Sequence, residues 1–247
     1  MSLLNIPTNT VIGKNNIIED GVKIYDNVII GDNNKIYNGT IIYPNTIIGK
    51  NNVFLNNNII GEHAVEAKED FKEKKFNGLI IGNNNFFHIN NIIFNGFYRK
   101  TIIGNDNKIL SSCNIHHDCI LNNNIVLYPE STICGLCELM DYSTMGVKSV
   151  MQQKSVLGQY SMIGMGSIAS HNIFPFYIYF NNKYQRFNYM KIPENLNVDC
   201  YKTKIEEIIL YLKNNEFNDK YLKNYNLNDN IKNIIMLFIN KIIINKI

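Results

Sequence analysis

Large apolar side chains recur every six residues along most of the chain. Ile12, Ile18, Ile24, Ile30, Ile36, Ile42, Ile48, Phe54 and Ile60 form one unbroken series. The series resumes at Ile81, Phe87 and Ile93 and makes one ten-residue step to Ile103. It then continues through Ile109, Ile115, Leu121, Leu127, Ile133, Leu139, Met145, Met151, Leu157 and Ile163 to Ala169. A period of six fits neither an amphipathic helix nor a half-buried strand. It fits a short strand plus a corner, three of which close a triangular coil. The position four residues after each stacked residue also points inward. In the second half it is small: Cys113, Cys119, Ser131, Cys137, Ser143, Ser149, Ser155, Ser161 and Ser167. Gly and Asn tolerate the positive φ of sharp corners, which accounts for their abundance in the repeat. Some eight coils at ~4.8 Å each predict a prism roughly 35–40 Å long.

Two segments break the pattern. Residues 62–79 are charged and non-repetitive, and residues 94–102 hold four residues too many. Both read as loops thrown out from the prism, where binding and catalytic groups often sit on a rigid scaffold. After Pro193 the spacing turns helical: Ile205, Ile208, Ile209 and Leu212, then Ile231, Ile234, Ile235, Phe238 and Ile242. The expectation is a β-helix over 1–193 and a small helical domain over 194–247.

Bulk composition changes this picture little. A formal net charge of +3 gives no case for nucleic-acid binding, although the part from Lys183 onward, with 11 Lys/Arg against 7 Asp/Glu, carries +4 and the rest about −1. The 43 asparagines look like the codon bias of an AT-rich genome. The N-terminus runs straight into the repeat, and five cysteines follow without a signal peptide. A cytoplasmic protein without a disulfide framework is expected. No run reaches the ~18 apolar residues of a membrane span, and the apolar stretch from Ile234 to Ile247 reads as a docked helix.

Within the six-residue frame, the second residue after each stacked one faces outward. Stepping by three hexads gives the column His117, Gly135, Gln153 and His171. Asp118 follows His117, and an imidazole with a carboxylate neighbour is a natural general base near neutral pH. A Gly backbone N–H one coil away suits the oxyanion of an acyl transfer. The pair Cys134/Cys137 lies in a corner and in the inward column, which speaks against a redox or zinc site. His88, His116, His117 and His171 lack the closely spaced histidine pair that zinc-dependent β-helix trimers use, so no metal is expected.

The repeat over 12 to about 174 resembles the hexapeptide-repeat acyltransferase superfamily. That likeness implies an all-β, left-handed parallel β-helix with a small C-terminal α-helical domain. The run Asn114-Ile115-His116-His117-Asp118-Cys119 is similar to the catalytic segment of the UDP-N-acetylglucosamine O-acyltransferases, the first enzymes of lipid A synthesis. Glu69-Asp70-Phe71-Lys72 is similar to that family's nucleotide-sugar loop, and Phe174-Pro175-Phe176-Tyr177 to its Pro-Pro-Tyr. The resemblance implies His117 as general base, Asp118 as its orienter and Gly135 as oxyanion donor. It implies Asp70, Lys72, Asn114, Gln153 and His171 as substrate contacts, and Met165 as the residue limiting acyl-chain length. It also implies a homotrimer with sites between subunits, no bound cofactor, an acyl carrier protein (or coenzyme A ester) as donor, and a nucleotide-sugar as acceptor.

The chain departs from that family at several positions. Asn114, Leu136 and Gln152 stand where the family has histidines, and Met190, Ile192 and Leu196 where it has Asn, Glu and Arg. The base and oxyanion donor are present while part of the recognition shell is not, so acyl transfer is better supported than the identity of the acceptor. Two alternatives follow from the same residues. One is a coenzyme A-dependent N-acyltransferase of a nucleotide-linked amino sugar, though its Gly-Asn-Pro-Ala ending is missing. The other is a non-catalytic β-helix binding protein.

Overall fold

The computed structural model describes residues 7, 9–64, 76–214, 222 and 225–245. Three parallel sheets form the walls of a prism. The first wall holds eight strands, from Val11–Ile12 to Val156–Leu157. The third also holds eight, from Lys23–Ile24 to Ile168–Ala169. The second has ten, because the hairpin Tyr177–Phe180/Lys183–Phe187 extends it beyond Met162–Ile163. That hairpin was not foreseen from the sequence: it begins where the six-residue period ends. Strands pair in register across each wall, as in Ile30 opposite Ile48 and Ile133 opposite Met151.

The stacked residues carry the core. From Ile30 to Ala169 every one is at most 1% exposed, while Ile12 and Ile18 at the open end are only partly buried. Burying each large aliphatic side chain contributes roughly 1.5–3 kcal/mol. The corners impose the opposite demand. The third residue after the stacked one adopts a φ of +54° to +64° at non-glycine positions from Asn15 to Tyr160. Asparagine fills most of these corners in the first half. In the second half Asp118, Leu136, Tyr142, Lys148, Lys154 and Tyr160 take them, each at a cost of about 1 kcal/mol or more.

Asparagine has a second use that codon bias does not explain. Asn34, Asn52, Asn85 and Asn107 are buried one above another in the inward column. Each side-chain oxygen accepts the next coil's backbone N–H, at 2.8 Å for Asn34 to Asn52 and 2.9 Å for Asn52 to Asn85. The Nδ2 of Asn52 and Asn85 donates back to the coil below at 3.0 Å. The ladder ends at Ile125, whose N–H bonds to Asn107. Every amide in the ladder therefore trades water for a protein partner, as buried polar groups must.

The two expected loops shrink at their edges, because strands claim residues from both. Glu62, Leu79, Phe94, Thr101 and Ile102 belong to strands, which leaves 63–64, 76–78 and 95–100, among the described residues, outside the sheets. Wall register survives both insertions: Ile48 pairs with Ile81, and Ile81 with Ile103. Both leave the prism at the corner between the third and first walls, in consecutive coils. Gly78 bridges Gly96, and Asn77 donates to the carbonyl oxygen of Phe97 at 2.7 Å, so the two insertions are tied together.

Beyond the hairpin come two short 3-10 turns, Glu194–Leu196 and Val198–Tyr201. Helices α1 (Lys202–Asn214) and α2 (Asp229–Asn245) follow. Ile205 and Ile208 of α1, and Ile231, Ile235, Phe238 and Ile239 of α2, bury their apolar stripes against Met140, Val156 and Phe174 of the prism. The helical segment is thus docked on the first wall. No helix among the described residues is long and apolar enough to cross a membrane.

Candidate active site

The corner between the third and first walls places His117 and Asp118 one coil beyond the 95–100 insertion. Asp118 must turn the chain there, at φ +63°, and its side chain is fully buried. Its Oδ2 meets Nδ1 of His117 at 2.6 Å. Its Oδ1 accepts three successive backbone N–H groups, from Phe97 at 2.8 Å, Tyr98 at 2.8 Å and Arg99 at 2.7 Å. The four extra residues of the insertion thus curl into a nest around one carboxylate oxygen. Burial pushes the Asp118 carboxyl up. The hydrogen bonds from His117, Arg99 and Phe97 outweigh it and hold the group below the usual carboxylate range.

An ionised, immobile carboxylate at Nδ1 fixes the imidazole tautomer. The proton stays on Nδ1, and Nε2 is left as an acceptor. The ring lies flat over Gly135 in the next coil, where an added Cβ would stand 2.7 Å from both Cε1 and Nε2. Only glycine admits the ring at this position. Phe97 meets the ring edge-on at 6.4 Å, and Tyr98 beside it is exposed. The backbone of His117 is also held, since its carbonyl accepts from Leu136 N–H at 3.0 Å and Asp118 N–H donates to Thr101 Oγ1 at 2.9 Å.

A second layer of charge surrounds the nest. Arg99 Nε donates to the Asp118 carbonyl at 2.8 Å, and its Nη1 reaches Glu138 Oε1 at 3.1 Å. Lys241 of α2 closes on the other Glu138 oxygen at 2.6 Å. Glu138 is 4% exposed. Arg99, Glu138 and Lys241 were not foreseen. Glu138 left a signal: it is the one charged residue in the outward column of the first wall, among Val11, Ile29, Ile47, Ile80, Ile102, Ile120 and Val156. Lys241 left none, because its partner lies 103 residues away.

The other expected residues scatter. Asn114 stands half-buried on the outer face of the third wall, between Ile92 and Thr132. Gln153 is exposed on the His117 corner, two coils along. His171 lies a coil further, exposed and edge-on to Tyr179 at 5.2 Å. Met165 sits on a different edge, between the second and third walls, and is 66% exposed. Asp70 and Lys72 lie outside the described residues. Cys137 points inward and is buried, and no disulfide joins any of the cysteines. His116 stacks on Phe94 at 5.0 Å; burial and then the charge of His117 lower its pKa. Among the described residues, one chain joins His117, Asp118 and Gly135, while Asn114, Gln153 and His171 stand apart from them.

Comparison with known proteins finds the same repeat and fold. Residues 9–44 match the family described as "Bacterial transferase hexapeptide (six repeats)". The acyl-[acyl-carrier-protein]--UDP-N-acetylglucosamine O-acyltransferase of Campylobacter concisus is 27% identical over 109 residues, 43% of this chain and 42% of that protein. The Burkholderia ambifaria enzyme of the same name is 37% identical over 99 residues, 40% of this chain and 35% of that protein. These matches thus span less than half the length of those relatives. Among solved structures, the UDP-N-acetylglucosamine acyltransferase of Bacteroides fragilis superposes with a TM-score of 0.80 at 25% identity. That superposition covers 94% of this chain and 93% of that one. The Campylobacter jejuni enzyme gives 0.75 at 24% identity, covering 96% and 91%. In sequence and in fold, the chain is similar to the UDP-N-acetylglucosamine O-acyltransferases.

Proposed function

We propose that this chain is an acyltransferase. It moves a 3-hydroxyacyl group from acyl carrier protein to a sugar hydroxyl of UDP-N-acetylglucosamine or a close nucleotide-sugar, the first step of lipid A synthesis. The observation that carries the reading is the His117 ring, held by the buried Asp118 carboxylate and laid over Gly135. His117 Nε2 takes the proton from the sugar O–H as that oxygen attacks the thioester carbonyl. The Gly135 N–H stabilises the negative oxygen of the tetrahedral intermediate. When that intermediate collapses the C–S bond breaks, His117 returns its proton to the departing sulfur, and ester and carrier thiol leave. Asp118, held anionic throughout, balances the imidazolium formed in between.

Met165 and His117 lie on different edges of one prism, so the acyl groove and the base meet only where two chains face each other. A homotrimer of the 28.5 kDa chain with clefts between subunits supplies that meeting, and Gln153, His171, Asp70, Lys72 and Asn114 contact the acceptor there. Light scattering on purified protein should give three times the chain mass.

The test of function is a donor–acceptor screen by mass spectrometry. Acyl carrier proteins loaded with short and long 3-hydroxyacyl chains, and the matching coenzyme A esters, are offered with UDP-N-acetylglucosamine and a panel of nucleotide-linked amino sugars. Product from acyl carrier protein and UDP-N-acetylglucosamine, abolished in His117→Ala, is the expected result. Product only from coenzyme A and an amino sugar would move the chain to N-acyl transfer. No product with any pair would refute catalysis by this site.

A further inference from the structure

The mechanism above uses the carboxylate of Asp118 but not the chain of charges behind it. Three contacts run in series from the nest to the C-terminal helix. Arg99 belongs to the nest through its own N–H and spans from the Asp118 carbonyl to Glu138. Glu138 is nearly buried and divides its two oxygens between Arg99 and Lys241, at 3.1 and 2.6 Å. Lys241 belongs to α2, whose position is fixed by Phe238 against Phe174, ring centroids 5.2 Å apart.

Stability alone does not account for this arrangement. Every other outward residue of that wall is aliphatic, and Val156 one coil further is fully buried. An aliphatic residue in place of Glu138 would continue the apolar face, and ion pairs in buried settings often gain little over such residues. A carboxylate here does what an aliphatic residue cannot: it links the 95–100 insertion to a distant helix through hydrogen bonds of fixed direction.

We infer that Arg99, Glu138 and Lys241 form a positioning relay, through which the docked C-terminal helix holds the 95–100 nest on Asp118 and thereby keeps His117 with Nε2 free to accept a proton. The inference rests on His117 being the base. With Lys241 removed, Glu138 loses its tie to the helix and keeps only Arg99, which still donates to the Asp118 and Leu136 carbonyls but no longer through a carboxylate fixed at both oxygens. The nest then loosens, Asp118 Oδ1 loses N–H donors, and the carboxylate no longer fixes the ring alone. In this relay the three residues act through Asp118 rather than on the reacting atoms.

The test reads the ring directly. Nitrogen-15 spectra of histidine-labelled protein, with His117 assigned by comparison with His117→Asn, give the tautomer of the imidazole. The native protein should hold His117 in the Nδ1–H form. Lys241→Met should convert it to a mixture and lower kcat about tenfold with substrate KM values unchanged, as expected for a misplaced base. Lys241→Arg, which keeps a donor within reach of Glu138, should restore both. Arg99→Met combined with Lys241→Met should be no worse than Arg99→Met alone, because members of one relay do not add. Thermal unfolding of each variant shows that it folds. A native tautomer and kcat in a folded Lys241→Met protein, or additive effects in the double variant, would overturn the relay. A tautomer that responds as described, in a native protein transferring no acyl group with any donor, would sustain the relay and refute acyl transfer.

Discussion

Replacing Gly135 by alanine tests the site at the point where its tolerance is smallest. The new Cβ would stand 2.7 Å from Cε1 and Nε2 of His117 and 3.3 Å from Cδ2. Carbon atoms rest at about 3.5–4.0 Å, so the ring must retreat by roughly 1 Å. It cannot retreat freely, since Nδ1 is held at 2.6 Å by Asp118 and Phe97 stands at its edge. Moving away from Gly135 therefore lifts Nε2 from its working position or strains the bond to Asp118. A displacement of that size at a reacting group costs about 100-fold in rate, equivalent to about 2.7 kcal/mol in the activation barrier. The fold should tolerate the change, because Gly135 does not occupy the left-handed region and the ring lies near the surface. The assay is the rate of ester formation over a range of acceptor concentrations, with unfolding temperature measured alongside. The expected result is a kcat lowered about 100-fold in a protein that melts near the native temperature. Native kcat in Gly135→Ala would refute the placement of the base over this glycine.

Four further substitutions test the same geometry. Asp118→Asn keeps the shape but offers an amide to His117; the rate should fall by about 10²–10⁴. Asp118 titrates lower when folded than unfolded, so its contribution to stability is complete above the unfolded pKa of about 3.9 and is lost as pH falls through the folded value. The stability gap between native and Asp118→Asn proteins should therefore be full at neutral pH and close in strong acid, as denaturant titrations would show. Asn85→Ala removes the acceptor of Asn107 N–H and the donor to Gly104 O, and should cost about 3 kcal/mol in chemical denaturation. Lys154→Gly relieves an exposed corner at φ +62° and should stabilise by about 1 kcal/mol. Met165→Gly should shift product mass toward longer acyl chains; an unchanged chain-length profile would remove Met165 from the groove.

How much of this was legible in the sequence depends on which interactions are periodic. The stacked apolar residues, the small inward column and the corners all repeat along the chain, so the prism and its wall register could be read from Ile12 to Ala169. The His117/Gly135 juxtaposition was legible for the same reason, being a step of one coil in that frame. Contacts that do not repeat were invisible. Tyr177–Phe187 folds into a hairpin only because the prism presents a free strand edge. The 95–100 insertion could be counted as four extra residues, but its curl around Asp118 is made by backbone N–H groups, which leave no trace in residue type. The buried asparagines were visible as composition and misread, since a ladder of amides differs from codon bias only once the column they share is known.

The insertions and the helix converge on one corner for a physical reason. A β-helix wall is a regular surface with every backbone group already engaged along the axis, so it has little means of its own to desolvate and fix a charged group. The third-to-first corner overcomes this with parts taken from outside the repeat. The loop 95–100 brings three successive backbone N–H groups to Asp118, and Gly78 and Asn77 of the neighbouring insertion brace that loop. Lys241 brings a cation from the far end of the chain. Each of these parts departs from the six-residue period, and each ends within three contacts of the His117–Asp118 pair. Both insertions leave the prism at this corner and neither at the other two. They concentrate at the one corner where a histidine lies over a glycine, as the proposed function requires.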